Sequence, residues 1–259
     1  MKNIVARNLL MFILFFVLLN GLAYLSYTYL SDFLTKNIPE IYNTIDTFIY
    51  LPILLIILIF FKKNKRTLKE KSIINFKTIV TIIILSILFR IFEDPIFRYK
   101  EILFNNSIDT YLAKKPSDFK FTLNFMIIFI NSVILGPVVE ELFFRNFILR
   151  NFIKEKHILF GILFSSILFG VMHISITSVV SSFFFGLIAS LIFIRKGILY
   201  SIFFHSIYNL IWLTLKIYSV EYFQIIKELN FNIIYWVIFI FSFLSLIFSL
   251  KTFYKKKAT

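Results

Sequence analysis

The sequence predicts an all-α fold, a polytopic transmembrane helix bundle of about eight spans with cytoplasmic N- and C-termini. Three observations predict it. The 259 residues are 59% hydrophobic, against about 45–50% in soluble domains. Several apolar runs reach the ~18–20 residues needed to cross a bilayer. Basic residues cluster in the short segments between those runs rather than along one face.

The runs, in order, are Leu9–Tyr29, Ile45–Phe61, Ile74–Phe92, Phe121–Phe152, Ile158–Met172, Val179–Ile194, Ile198–Tyr218 and Ile233–Leu250. The first has a basic start, Lys2 and Arg7, but its apolar run is too long for a signal-peptide core, so a retained span is expected. The fourth is a long stretch interrupted by polar residues, and the fifth and sixth are short. Glu93–Lys120 reads as the one long loop, with turn signals at Asn105-Asn106-Ser107 and Pro116. The chain divides into 1–120 (N-terminal helices and a long outer loop), 121–213 (a core) and 214–259 (an outer loop, the last helix and a basic tail).

Charge orients the bundle. With the N-terminus in the cytoplasm, 19 of the 28 Lys and Arg residues fall on the cytoplasmic side, and only 4 of the 14 acids do. Cytoplasmic loops carry such an excess. The net charge of +14 therefore reads as an orientation signal rather than a nucleic-acid surface. Cysteine is absent, which excludes disulfides, thiolate metal sites and a cysteine nucleophile.

Ionisable groups inside a span are costly and mark function. In Gly136-Pro137-Val138-Val139-Glu140-Glu141-Leu142-Phe143-Phe144-Arg145, the i,i+4 spacing pairs Glu141 with Arg145. Glu140 is then left to face the bundle interior as a candidate general base. Pro137 removes a backbone donor just before the pair. Taken alone, the motif also fits a solvated helix end. His173 closes Phe169-Gly170-Val171-Met172-His173, where Phe169 can pack beside the imidazole and Gly170 admits a neighbouring helix. A lone histidine there also fits an interfacial role. His205 and Asn209 are i,i+4 and reach one point. They fit an oxyanion hole or a helix–helix hydrogen-bond pair equally well. His157 sits in a basic turn and reads as structural. Counting 1.5 Å per residue permits Glu140, His173 and His205 to share a depth in the cytoplasmic half.

Together, Glu140-Glu141-x-x-x-Arg145, Phe169-x-x-x-His173 and His205-x-x-x-Asn209 resemble the CPBP family of CaaX-processing and bacteriocin-immunity (Abi-like) membrane proteins, over about Phe121 to Leu213. The resemblance implies an intramembrane protease whose site opens toward the cytoplasm. It implies that Glu140 and His173 activate a water, that His205 and Asn209 stabilise the oxyanion, and that Arg145 orients Glu141. The expected substrate is a membrane-associated peptide or protein. No cofactor is favoured, and zinc on Glu140, His173 and His205 is the alternative. The H-E-x-x-H spacing of ordinary zinc proteases is absent. The other functional expectations are a non-catalytic immunity or interaction protein and a small proton-relaying transporter. No inverted repeat supports the transporter. Richness in Ile, Phe, Lys and Asn points to an AT-rich bacterial genome, hence a bacterial plasma membrane. The oligomeric state is not readable.

Overall fold

The computed structural model describes residues 2–25, 50–56, 75–104, 122–173 and 175–254. Regular structure among them is entirely helical. The helices are α1 (Lys2–Leu25), a segment at 50–56, α2 (Phe76–Phe97), α3 (Tyr99–Phe104), α4 (a continuous run over 123–154), α5 (Ile158–Val171), α6 (Ile176–Lys196), α7 (Ile198–Ile217), α8 (Ser219–Leu229) and α9 (Ile233–Tyr254). Five are long and apolar enough to cross a membrane: α1, residues 125–154 of α4, α6, α7 and residues 233–251 of α9. α2 is long enough but carries Lys77, Arg90, Glu93 and Asp94. α5 is apolar but has 14 residues. The expected span Ile45–Phe61 falls largely outside the described residues, as do the turn signals at 105–107 and 116.

α4 is the axis of the bundle. Its side chains from Glu141 to Leu149 are all buried, with Phe144, Ile148 and Leu149 fully so. Such all-round burial needs partners on every side. α5, α6 and α7 supply them, and α1 adds Phe15, stacked on Phe143 at 3.9 Å between ring centroids. The run is α-helical at Leu123–Phe129, Gly136–Glu141 and Arg150–Lys154, and π-helical at Ile130–Leu135 and Leu142–Leu149. π-turns recur at functional sites, and here they flank the Glu140-Glu141 pair on both sides. They lie next to Pro137, whose missing N–H prevents an unbroken α ladder.

α5 and α6 pack closely because two glycines face backbone. A Cβ on Gly170 would stand 2.8 Å from the Val179 carbonyl oxygen, and one on Gly186 3.0 Å from Ser166 Cα. Small residues give helices this closeness in a bilayer. Aromatic rings fill the centre: Phe185 of α6 stacks on Phe204 of α7 at 4.9 Å and meets Phe89 of α2 at 5.9 Å.

The third helix is longer than the sequence predicts. The hydropathy drop at Glu93 reads as the start of a loop, yet α2 continues to Phe97, and Glu93 and Asp94 are both buried. Their charges are met by partners rather than by water. Asp94 accepts from Arg98 Nε at 3.2 Å, from the Tyr235 hydroxyl at 2.8 Å, and from the Tyr222 hydroxyl. This clamp ties the end of α2 to α8 and α9. Burial and the neighbouring Asp94 carboxylate push the Tyr222 phenol upward, so it remains a donor at neutral pH. α8 lies in what reads from sequence as a plain outer loop. The hydrogen bond of Asn75 N–H to the Tyr200 hydroxyl, 2.8 Å long, fixes the other end of α2 on α7.

Candidate functional site

The i,i+4 spacing of Glu141 and Arg145 places them together. Arg145 Nε stands 3.3 Å from Glu141 Oε2, both side chains fully buried. The guanidinium lies 4.6 Å from the Phe169 ring centroid, over its face, and reaches the Gly186 carbonyl at 3.4 Å. Glu141 also accepts from the Ser201 hydroxyl and from His205 Nδ1, the latter at 3.1 Å. One carboxylate thus joins α4 to α7 through two donors, Ser201 and His205, while the Arg145 charge on its own helix balances it, which is the compensation a buried anion requires.

Glu140 is built differently. Its Oε2 is buried and has no hydrogen-bond partner among the described residues. His205 Nε2 stands 3.9 Å from it. His205 therefore lies between the two acids, with Nδ1 on Glu141 and Nε2 toward Glu140. Phe185 packs on its ring at 4.8 Å and Phe169 at 5.8 Å, edge to face in both cases.

His173 sits in the turn just after α5, where its backbone N–H bonds to the Gly170 carbonyl. Its Nδ1 is 2.9 Å from the Phe169 carbonyl oxygen, which accepts a proton and donates none, so Nδ1 carries the hydrogen. Nε2 is then the acceptor nitrogen of the neutral ring. The Phe169 ring lies 4.9 Å from the imidazole, as the i,i+4 spacing predicts. Asn209 of α7 donates from Nδ2 to the Ser132 carbonyl at 2.7 Å. That uses one of its two amide hydrogens and leaves the second.

Glu140, His173, His205 and Asn209 line one cavity of about 320 Å³, together with Arg90, Asn131, Ser181 and Tyr208 among others. Glu141 and Arg145 stand behind the wall rather than on it. His157 is exposed in the turn before α5 and takes no part.

Sequence reading missed a second polar network. Glu93 of α2 is fully buried and accepts from Arg90, from Ser181 of α6 and from the Tyr208 hydroxyl of α7, at 2.8 Å to each carboxylate oxygen for the last. The signal was present: Arg90 and Glu93 are i,i+3 at the end of an apolar run, a spacing that pairs charges on one helix face. Ser201, one turn before His205, was likewise passed over.

A zinc ion needs at least three N, O or S ligands converging on one point. Among the described residues no three His, Cys, Asp or Glu side chains are so grouped. Glu140, His173 and His205 share a cavity without forming that set.

A cavity inside a bundle of membrane-type helices, walled by a carboxylate, two imidazoles and an amide, defines a class: polar chemistry sheltered within a helical membrane protein. Residues 122–211 match the family described as Type II CAAX prenyl endopeptidase Rce1-like. The matched stretch coincides with the 121–213 core that carries the three motifs, and it is that part of the chain which is similar to the family. No curated protein and no solved structure matches the chain.

Proposed function

We propose that this protein is a multi-pass intramembrane endopeptidase that hydrolyses a peptide bond of a membrane-associated peptide or protein. One observation carries the proposal: Glu140, His173, His205 and Asn209, from α4, the end of α5 and α7, line a single cavity. Glu140 and His173 activate a water between them. The open Oε2 of Glu140 and the acceptor Nε2 of His173 are the groups able to take its proton. The hydroxide attacks the scissile carbonyl carbon, and the proton passes on to the leaving amine.

The oxyanion that forms is held by His205 and Asn209. Asn209 offers its second amide hydrogen. His205 already donates from Nδ1 to Glu141, so Nε2 must carry a proton as well when it serves as donor. Arg145 keeps Glu141 in place to orient His205. No step is routed through zinc. The charge distribution supports a bundle with both termini cytoplasmic, and the richness in Ile, Phe, Lys and Asn supports a bacterial plasma membrane.

The test is Glu140→Gln in proteoliposomes, beside the parent protein on a library of apolar peptides, with and without chelator. Loss of a general base costs on the order of 10²–10⁴-fold in rate. Cleavage by Glu140→Gln at the parent rate refutes the proposal.

A further inference from the structure

The cavity contains one carboxylate and one guanidinium among its described lining residues, Glu140 and Arg90. A guanidinium is permanently charged and seeks carboxylates in a two-pronged fit. Glu140 Oε2 has no donor among the described residues. Both groups line the one cavity, so Glu140 is the carboxylate that an Arg90 released from its partner faces there, and a carboxylate locked in such a pair is a poor proton acceptor.

In the structure Arg90 is held elsewhere. Arg90 Nη1 is bound to Glu93, and its guanidinium lies 5.8 Å from the Phe97 ring centroid and 6.0 Å from that of Tyr208. Glu93 is itself immobilised. It is fully buried behind the cavity wall, with Ser181 and Tyr208 donating to it from two other helices. A carboxylate buried this deeply is expensive unless paired, and nothing in the hydrolytic chemistry uses it.

We propose that Glu93 is a positioning residue that sequesters Arg90 and so keeps the Glu140 carboxylate free to act as base. Tyr208 and Ser181 hold Glu93 in register for that task. The inference deepens the peptidase reading, since it takes Glu140 as the base.

The experiment uses dicyclohexylcarbodiimide, an apolar reagent that adds to buried carboxylic acids and leaves a stable N-acylurea, but spares carboxylates held in ion pairs. Full-length protein in membranes is labelled, digested, and scored by mass spectrometry at Glu140. The parent protein is expected to label there. Glu93→Gln frees Arg90 and lowers labelling about tenfold, within the usual range for coupled neighbours. Arg90→Gln/Glu93→Gln restores it to the parent level. The same order is expected with Glu93→Ser in place of Glu93→Gln, so that the conclusion does not hang on one variant's folding. A purely structural role for Glu93 would not be reversed by removing Arg90 as well.

Parent-level labelling in both single variants overturns the inference, as does a double variant that labels no better than Glu93→Gln. No substrate is needed, so a failure here leaves the peptidase reading intact. Conversely, if peptide cleavage proves independent of Glu140, the labelling order still reports whether Arg90 is sequestered.

Discussion

Replacing Arg145 with Met should be among the most damaging single changes in the bundle. Arg145 and Glu141 are fully buried and 3.3 Å apart. Met fills much of the same space and stays apolar, so the chief effect is to strand the Glu141 charge. Removing one partner of a buried pair costs about 3–5 kcal/mol. The guanidinium also lies over Phe169 at 4.6 Å, and losing that contact adds ~0.5–2 kcal/mol. Ser201 and His205 continue to donate to Glu141 and hold the total toward the lower end of the sum. Unfolding in mixed detergent micelles by increasing dodecyl sulfate, followed by the fluorescence of Trp212 and Trp236, measures the loss. Arg145→Met/Glu141→Gln removes the stranded charge and should recover at least about 2 kcal/mol as a coupling energy. The reasoning fails if Arg145→Met lies within about 1 kcal/mol of the parent, inside the range of an ordinary point mutation, or if the double variant is no more stable than the single.

Two further outcomes follow from the packing and from the charge pattern. Gly170→Ala sets a methyl 2.8 Å from the Val179 carbonyl, backbone that cannot swing aside, whereas the same change at Gly21 meets nothing within 4 Å. The first should destabilise by about 1–3 kcal/mol through overpacking and the second should stabilise by about 0.5–1 kcal/mol as a helix-interior glycine replaced, both read in the same micelle titration. The chain has no cysteine, so single Cys variants report topology directly. Glu155→Cys should react with an impermeant maleimide only after the cytoplasmic face is opened, and Glu228→Cys in intact cells; the reverse pattern would invert the proposed orientation.

What was legible in the sequence was local. Glu141 and Arg145 lie one turn apart, Phe169 and His173 likewise, and helical periodicity alone brings each pair into contact. Where residues are described, the apolar runs also fall on helices, because lipid requires every backbone group to be satisfied inside the segment. Boundaries were less legible. The run at Ile158–Met172 ends one residue beyond α5, whose described end is Val171, and Val179–Ile194 starts three residues late because Ser175 caps α6 ahead of the apolar run. The π-turn at Leu142–Leu149 left no trace in periodicity, since every side chain in it is buried and any register would look alike.

The fate of Glu93 and Asp94 shows where hydropathy stops being informative. A charge lowers hydropathy whether it meets water or a partner, and those outcomes predict opposite structures: a loop beginning at Glu93 or a helix continuing through it. The deciding partners lie far along the chain. Ser181 is 88 residues from Glu93 and Tyr235 is 141 residues from Asp94. No window of a single helix contains them. Serine and tyrosine, moreover, score as unremarkable residues inside an apolar run, so the donors were hidden as thoroughly as the acceptors. Yet the cost of burying an acid without such donors is several kcal/mol. The apolar spans at 176–196, 198–217 and 233–254 are therefore constrained at Ser181, Tyr208 and Tyr235 by charges on α2, and substitutions at those three positions should be felt in the geometry of the cavity before they are felt in the span that carries them.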